Sequence, residues 1–207
     1  DNQYVADADE IIKGGTGYDL DNRLPDEIEH IYPDYSLYGI DDTAYGFLTR
    51  GCPRHCPFCI VGDKEGLCSK KVADLSEFWD RQKFIELLDP NLLACSDRHE
   101  LLQQLIDSTS IVNFNQGLDV RFLDKDCADQ INQIKTSMIH FAWDNYEFKT
   151  LNCLVNARDW LTKEWTHVRV YVLTNFNTTI DQDLERIYTI RDIGFDPYVM
   201  VYDKPHA

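Results

Sequence analysis

Three cysteines stand close together in one short segment of the chain. Cys52, Cys56 and Cys59 are separated by three and then by two residues. Thiolates bind soft metal ions and iron–sulfur clusters, and a compact cluster needs one thiolate for each iron that the protein holds. Pro53 and Pro57 lie between the cysteines, and proline disrupts the interior of a helix. We therefore expect a loop that wraps around a metal centre.

The three thiols are compatible with more than one metal chemistry. An iron–sulfur cluster held by three cysteines leaves one iron without a protein ligand. A zinc site needs four ligands, and Cys68 or His55 could supply the fourth. A third alternative is that the cysteines bind nothing. Arg50 and Arg54 flank the segment, and nearby positive charge favours the thiolate form that binds metal.

The composition is that of a globular protein. The chain has 207 residues, of which 43% are hydrophobic and 27% charged, and no apolar run approaches the ~18–20 residues that cross a bilayer. The formal net charge of −16 argues against a nucleic-acid partner for this chain alone, because such binding usually needs a clustered basic face. The seven cysteines are an odd number, and nothing resembles a secretory signal. We therefore expect no membrane association and a reducing, cytoplasmic location.

Short apolar segments alternate with amphipathic ones from about residue 45 onward. Strands are predicted at 45–49, 84–88, 111–114, 137–142, 168–173 and 198–202, and helices at 97–107, 124–135, 147–162 and 179–193, with a weaker helix at 74–83. Asp97 with Glu100 resembles a capping box, and Gly194 is suited to end a helix. Strands that alternate with helices form parallel sheets. The predicted fold class is α/β, with a partial (βα)6 TIM-like barrel as first choice and a doubly wound open sheet as second.

The amino-terminal part of the chain has a different character. Residues 1–44 are acidic and turn-rich, and we interpret them as a short irregular extension left from a larger amino-terminal region. Residues 45–207 form the predicted barrel domain. The glycine-rich run at 14–17 is not followed by the Gly-Lys-Ser/Thr of a phosphate loop, so it predicts turns. The chain also begins without an initiator Met, which suggests a piece of a longer protein.

The cysteine segment and its place in the chain resemble the radical S-adenosylmethionine (SAM) enzymes. The resemblance rests on Cys52-x-x-x-Cys56-x-Phe58-Cys59 after the first predicted strand and covers about residues 45–202. It implies a 4Fe–4S cluster on the three cysteines, with SAM on the fourth iron and Phe58 close to it. In that family the cluster cleaves SAM to methionine and a 5′-deoxyadenosyl radical, which abstracts hydrogen from a substrate. A small electron-donor protein of the flavodoxin or ferredoxin type is also implied.

A narrower resemblance lies on either side of the cysteines. Residues 14–19, 24–29 and 33–35 precede them and 64–66 follow. This run is similar to uncharacterised bacterial and phage radical SAM proteins, and to members with an N-terminal cobalamin-binding-like domain. The cobalamin ligand motif Asp-x-His-x-x-Gly does not occur in this sequence, so cobalamin is not expected to bind.

The resemblance implies SAM contacts from residues that follow the later strands, since ligands of parallel α/β folds lie at the carboxyl ends of strands. The implied contacts are Asp89 to the amino group, Gln116 and Asp119 to ribose hydroxyls, Arg121 to the methionyl carboxylate, and Asp144 and Asn175 to ribose, adenine, methionine or substrate. Gly117 would let the backbone approach the ligand. The family commonly carries Gly-Gly-Glu after its second strand, whereas this chain has Asp89-Pro90-Asn91. Each of these residues could instead have a purely structural role, in a turn or in a surface ion pair. Asp203 follows the last predicted strand.

The leading hypothesis is a radical SAM enzyme that acts on an unknown substrate. One alternative is a non-catalytic zinc or iron–sulfur binding module with the same fold. Another is an RNA-modifying member of the family, which the acidic net charge of −16 disfavours. The sequence indicates neither the substrate nor the reaction that follows hydrogen abstraction.

Overall fold

A computed structural model describes residues 20–21, 24–164 and 167–202. Its strands are β1 (Thr43–Gly46), β2 (Thr49–Arg50), β3 (Lys70–Lys71), β4 (Phe84–Leu87), β5 (Ile111–Phe114), β6 (Lys135–Thr136), β7 (Ile139–Ala142), β8 (Val168–Thr174) and β9 (Asp196–Val201). Its α-helices are α1 (Asp26–Glu29), α2 (Val61–Glu65), α3 (Arg98–Ser108), α4 (Lys125–Gln133), α5 (Phe148–Trp160) and α6 (Ile180–Asp192). Short 3-10 turns lie at Tyr35–Tyr38, Leu75–Glu77, Leu92–Ala94 and Val120–Phe122. The predicted turns at 14–17 and Asp203 lie outside the described residues.

The main strands form two parallel sheets in which neighbours follow chain order. The first sheet has the order β1-β4-β5-β6, and the second has the order β7-β8-β9. The two sheets are linked in two ways. β6 and β7 are consecutive in the chain, and the amide of Leu118, four residues after the end of β5, donates to the His140 carbonyl in β7 at 2.8 Å. β2 and β3 form a separate antiparallel ribbon. The α/β class and the parallel strands are confirmed.

Several local predictions need correction. The prediction of a helix at 74–83 is wrong: only a 3-10 turn at Leu75–Glu77 forms, and Arg81 adopts a φ of +65°, which a right-handed helix cannot contain. The capping box predicted for Asp97 is also absent, because its side chain makes no cap hydrogen bond. The strand predicted at 137–142 corresponds to β7, which begins two residues later at Ile139, and the short β6 (Lys135–Thr136) precedes it. Gly194 does follow the end of α6, with a φ of +88°.

One face of the parallel strands packs against the helices and forms the core. Residues alternate along β4 and β5, so that Ile85 and Leu87 and then Val112 and Phe114 are buried. Their helical partners are fully buried leucines and isoleucines: Leu101, Leu102 and Leu105 of α3, Ile131 of α4 and Ile190 of α6. None of the described helices is long and apolar enough to cross a membrane.

The other face of the same strands is polar and only partly buried. Glu86 accepts a hydrogen bond from Asn113 on the next strand at 2.8 Å. Further along, the ring of His140 stacks on that of Tyr171, with centroids 5.1 Å apart. The strands therefore present an apolar face to the helices and a hydrogen-bonding face on the opposite side.

Candidate metal centre

The three cysteines lie in the loop between β2 and α2, beyond the carboxyl end of β1. The segment makes tight turns and forms no helix before Val61, as the two prolines predicted. The Cys59 amide donates to the Cys56 carbonyl at 2.9 Å, which closes one of these turns. The Cys52 amide donates to the Gly66 carbonyl at 3.0 Å, so the two ends of the loop are joined.

The base of the loop is fixed by further contacts. The Gly51 amide donates to Oε2 of Glu65 at 3.1 Å, and Arg50 donates from Nη1 to Oε1 of the same carboxylate at 3.2 Å. Gly51 has a φ of +86°, and a Cβ there would lie 2.3 Å from the carbonyl oxygen of Cys68. Only glycine fits this crossing. The cysteine loop is therefore held by side-chain, backbone and steric constraints at its base.

The pKa of Cys56 depends on burial and on neighbouring groups from several parts of the chain. Burial raises the pKa of Cys56, and the neighbouring groups Asp144, Cys52 and Cys59 raise it further, while the charge of Arg121 lowers it. The pKa of Cys56 is therefore affected by the other two cysteines and by two charged residues that follow later strands. The structure brings together groups that lie far apart in the chain.

A cation from a distant part of the chain lies beside the cysteine loop. Arg121, which follows β5, acts on Cys56. Of the two arginines that flank the cysteines in sequence, Arg50 donates from Nη2 to Glu29 at 2.6 Å and from Nη1 to Glu65 at 3.2 Å. Nε of Arg54 lies 3.8 Å from Oδ2 of Asp119. The expectation that Arg50 and Arg54 favour the thiolates stays a prediction.

Asp119 and Arg121 form a tight pair beside Cys56. Arg121 donates from Nε to Oδ1 of Asp119 at 2.6 Å and from Nη2 to Oδ2 at 3.0 Å. Its remaining amine, Nη1, lies 3.3 Å from Oε1 of Glu147. The side chain of Asp119 is only 8% exposed and that of Arg121 only 15%. Both predicted SAM-binding residues are therefore at the site, where they bind each other.

Asp89 joins the ends of two strands. Its carboxylate is buried and accepts hydrogen bonds from the Leu48 amide at 3.1 Å and from the Thr49 hydroxyl at 2.6 Å. Burial raises its pKa to about 6, against the opposing effect of these hydrogen bonds. Its contacts fix the segment that leads into the cysteine loop. The predicted contact of Asp89 with SAM stays a prediction.

Asn91, which sequence analysis did not assign to SAM or metal, lies closer to the thiols. Its Nδ2 is 3.4 Å from Sγ of Cys52 and 3.3 Å from Oδ2 of Asp119. It comes two residues after Asp89, in the same segment that departs from the family motif. Its amide type was a usable signal, since asparagine can donate to sulfur and to carboxylate alike.

The remaining predicted SAM contacts follow β5, β7 and β8. Asp144 is partly buried, and its burial raises the pKa of the carboxyl while Arg121 and Arg186 lower it. Asn175 has a φ of +62° and donates from Nδ2 to the Tyr202 carbonyl at 3.0 Å. Gln116 is exposed.

Phe58 and Gly117 are the remaining residues for which the sequence predicted a role at the SAM site. The ring of Phe58 packs edge-on against that of Phe176, with centroids 5.3 Å apart. Gly117 has a φ of +80°, and a Cβ there would lie 3.1 Å from the His140 carbonyl oxygen. The close approach that requires glycine at this position is therefore to β7, whereas the sequence predicted an approach to a ligand.

Sequence analysis also missed Arg186, which has no solvent exposure. From α6 it donates to the carbonyl of Asp144 at 2.9 Å, to that of Leu173 at 2.7 Å and to Oδ1 of Asp183 at 2.6 Å, and it also donates to the Trp143 carbonyl. It thereby joins the carboxyl ends of β7 and β8. A signal was present: Asp183, Arg186 and Ile190 have the spacing of one helix face.

A second group of possible metal ligands lies between the first turns of α3 and α4. One ligand atom each from His99, Asp124 and Cys127 lies within 4.8 Å of the others. Asp124 is already used, since it accepts from the Cys127 amide at 2.8 Å and from Arg98 at 2.9 Å. Nδ1 of His99 lies 2.8 Å from Oε1 of Gln130. These contacts explain the group as a helix cap, and the cation of Arg98 opposes a metal ion there.

No protein-family model matches the chain, and no curated protein matches it either. The functional evidence therefore comes from the cysteine loop and from the ends of β4, β5, β7 and β8. In the first sheet β4 and β5 run parallel to β1, and in the second sheet β8 runs parallel to β7.

Proposed function

We propose that this chain is a radical SAM enzyme whose 4Fe–4S cluster is held by Cys52, Cys56 and Cys59. One observation carries the proposal: three cysteines lie in a helix-free loop beyond the first parallel strand, and the charges of Arg121 and Asp144, which follow later strands, act on Cys56 among them. Ligands of parallel α/β folds lie at the carboxyl ends of strands. The thiols and charges therefore occur where such a fold binds its cofactor.

We favour a cluster over a single zinc ion because Cys52-x-x-x-Cys56-x-Phe58-Cys59 resembles the cluster segment of the radical SAM enzymes. A zinc site would need a fourth ligand. Cys68, one candidate for that ligand, is exposed, and its Sγ lies 3.8 Å from the Ser69 carbonyl.

Unpartnered polar atoms near the loop support a polar ligand. Nε of Arg54 and Oδ1 of Asn91 are buried without a hydrogen-bond partner. Buried polar atoms in native proteins are nearly always paired, so each such atom needs an explanation. SAM offers a carboxylate, an amino group, hydroxyls and adenine nitrogens. It is thus a ligand with enough donors and acceptors to satisfy these atoms.

We also propose that the two sheets belong to one partial (βα)6 barrel. Strand neighbours follow chain order in both sheets, whereas a doubly wound sheet reverses its order at one point. Consecutive helices pack on each other, α3 on α4 and α4 on α5, which is expected when all helices cover one side of the strands. The polar face with Glu86, Asn113 and His140 would then line the interior and meet the substrate.

When bound, the cluster supplies the electron that cleaves SAM, and the resulting 5′-deoxyadenosyl radical removes hydrogen from a substrate. The chain's own residues bind and orient. The guanidinium of Arg121 can pair with the methionyl carboxylate of SAM, in exchange for its contact with Glu147. The contact between Phe58 in the loop and Phe176 after β8 places apolar surface beside the thiols, which would help to exclude water from the bound cofactor. A flavodoxin or ferredoxin type of protein would deliver the electron.

The test is anaerobic reconstitution of the full chain with iron and sulfide. We expect about four irons per chain, and 5′-deoxyadenosine when SAM and dithionite are added. Cys59→Ala should lose both, whereas Cys68→Ala should keep both, because Cys68 lies outside the Cys52–Cys59 segment and its Sγ faces the Ser69 carbonyl at 3.8 Å.

Two outcomes would contradict the proposal. One tightly bound zinc without SAM binding would identify a non-catalytic binding module. Iron uptake with no 5′-deoxyadenosine would identify a cluster-binding protein that has lost the reaction. Salt-dependent RNA binding, added to 5′-deoxyadenosine formation, would direct the search for the substrate to RNA.

A further inference from the structure

Asn91 occupies a buried position between the cysteine loop and the strand ends. The residue is 2% exposed. Its backbone carbonyl accepts from the Ser69 hydroxyl at 2.8 Å and from the Ala94 amide at 3.3 Å. The backbone is therefore fixed, and the side chain extends from it to Cys52, at 3.4 Å between Nδ2 and Sγ.

The neighbours of the side chain determine which way the amide is turned. Oδ2 of Asp119 lies 3.3 Å from Nδ2 of Asn91. A carboxylate and a thiolate both accept hydrogen bonds and cannot donate. Turning the amide would place its oxygen against two acceptors, so Nδ2 must face Asp119 and Cys52.

The usual local reason for an asparagine at this position does not apply. Asn91 directly precedes the 3-10 turn Leu92–Ala94, where an asparagine side chain commonly caps the first amides. Here it makes no cap hydrogen bond. Its Oδ1 is buried and has no partner. The side chain is therefore directed to the sulfur and not to its own turn.

We propose that Asn91 sets the reduction potential of the cluster through an N–H···S hydrogen bond to Cys52. This inference rests on the proposed function, since it requires a cluster on the three cysteines. Hydrogen bonds to sulfur ligands are among the factors that set the potentials of iron–sulfur clusters. One-electron reduction adds negative charge that is shared by the sulfur ligands, so the hydrogen bond is stronger in the reduced state. Asn91 therefore raises the potential and makes reduction easier.

Asp119 has a positioning role in this arrangement. It holds Nδ2 of Asn91 on one side and is itself held by two hydrogen bonds from the Arg121 guanidinium. Residues from the ends of β4 and β5 thus meet at one thiol of the loop after β1. The hydrogen bond is oriented by the fold before any cluster is bound.

The experiment is a redox titration of the reconstituted full chain, followed by EPR of the reduced cluster with dithionite as electron source. Asn91→Leu keeps a similar shape and removes the donor. We expect unchanged iron content and a midpoint potential shifted to more negative values. Asn91→Asp removes the donor and adds a negative charge, so it should shift the potential further in the same direction.

Asn132→Leu is the matched control. Asn132 donates to the Trp160 carbonyl and accepts from the Thr162 amide, both at 2.9 Å, so its loss destabilises the fold without touching the loop. We expect it to leave the potential unchanged. An Asn91→Leu cluster with the wild-type potential, or an equal shift in Asn132→Leu, would overturn the inference while the proposed function stands. A wild-type chain that takes up no iron would overturn both.

Discussion

Replacement of Arg186 by methionine should destabilise the protein more than any other single change on α6. The guanidinium has no solvent exposure and forms an ion pair with Asp183 at 2.6 Å. Its other hydrogen bonds go to the backbone carbonyls of Trp143, Asp144 and Leu173 and to the Thr178 hydroxyl. Methionine keeps most of the apolar volume of arginine and removes all of these donors.

The magnitude follows from the groups that lose their partner. Breaking a buried ion pair by removing one member costs about 3–5 kcal/mol, and each buried acceptor without a donor costs about 1–3 kcal/mol. These losses overlap, because Asp183 keeps its hydrogen bonds from Thr178 and from the Asn175 amide. We expect the free energy of unfolding to fall by about 4 kcal/mol, and the melting temperature to fall by roughly 8–16 °C for a chain of this size.

The assay is urea denaturation followed by circular dichroism. Arg191→Met is the control on the same helix, since Arg191 and its partner Asp192 are 61% and 66% exposed. Its unfolding free energy should change by less than about 0.5 kcal/mol. The double variant Arg186→Met with Asp183→Asn should be more stable than Arg186→Met alone, because no buried charge is left unpaired. A loss below about 1 kcal/mol in Arg186→Met, at an unchanged urea dependence, would refute the reasoning.

Two further predictions concern the approach to the cysteine loop. Burial raises the folded-state pKa of Asp89 from 3.8 to about 6, so the folded state binds more protons than the unfolded state in that window. The contribution of Asp89 to the free energy of unfolding should therefore fall as pH rises from about 4 to about 6. Asp89→Asn should remove this contribution, so that urea titrations at several pH values give a less negative slope than in the wild type; an unaltered slope would contradict it. Gly51→Ala should cost well over 1–2 kcal/mol and lower iron uptake, because its Cβ would lie 2.3 Å from the Cys68 carbonyl oxygen. Gly39→Ala is the control, because Gly39 also has a positive φ, of +64°, but a Cβ there would meet no atom within 4 Å. It should lower the free energy of unfolding by only about 1–2 kcal/mol and leave iron uptake intact. Equal losses of stability in Gly51→Ala and Gly39→Ala would contradict a steric role of the Cys68 carbonyl.

Local patterns were sufficient to predict most elements. The helices predicted at 97–107 and 179–193 lie within one residue of α3 (Arg98–Ser108) and α6 (Ile180–Asp192). Apolar spacing and terminal residues act within one or two turns, so they can be seen in a short segment. The helix-free cysteine loop was predicted on the same basis from Pro53 and Pro57. The predicted helix at 74–83 failed because the backbone at Arg81 takes a positive φ, for which the sequence carries no clear signal.

The partners of the site residues could not be predicted in the same way. Arg121 was expected to bind a carboxylate, and it does bind one, but that carboxylate is Asp119 two residues earlier. Asn91 was regarded as part of a turn, and its contact with Cys52 spans 39 positions. Such a contact depends on the register of β1 with β4, which single-segment patterns do not encode.

The sequence by itself determined a parallel α/β chain with three thiols in a non-helical loop after its first strand. It did so because strand alternation, helix periodicity and proline geometry are local properties of the backbone. Only the tertiary structure decided which groups surround those thiols: Arg121 as the nearby cation, Asn91 as the donor to Cys52, and Arg186 as the buried link between β7 and β8. Parallel strands gather their carboxyl ends at one edge, so the environment of the loop is built from residues far apart in the chain.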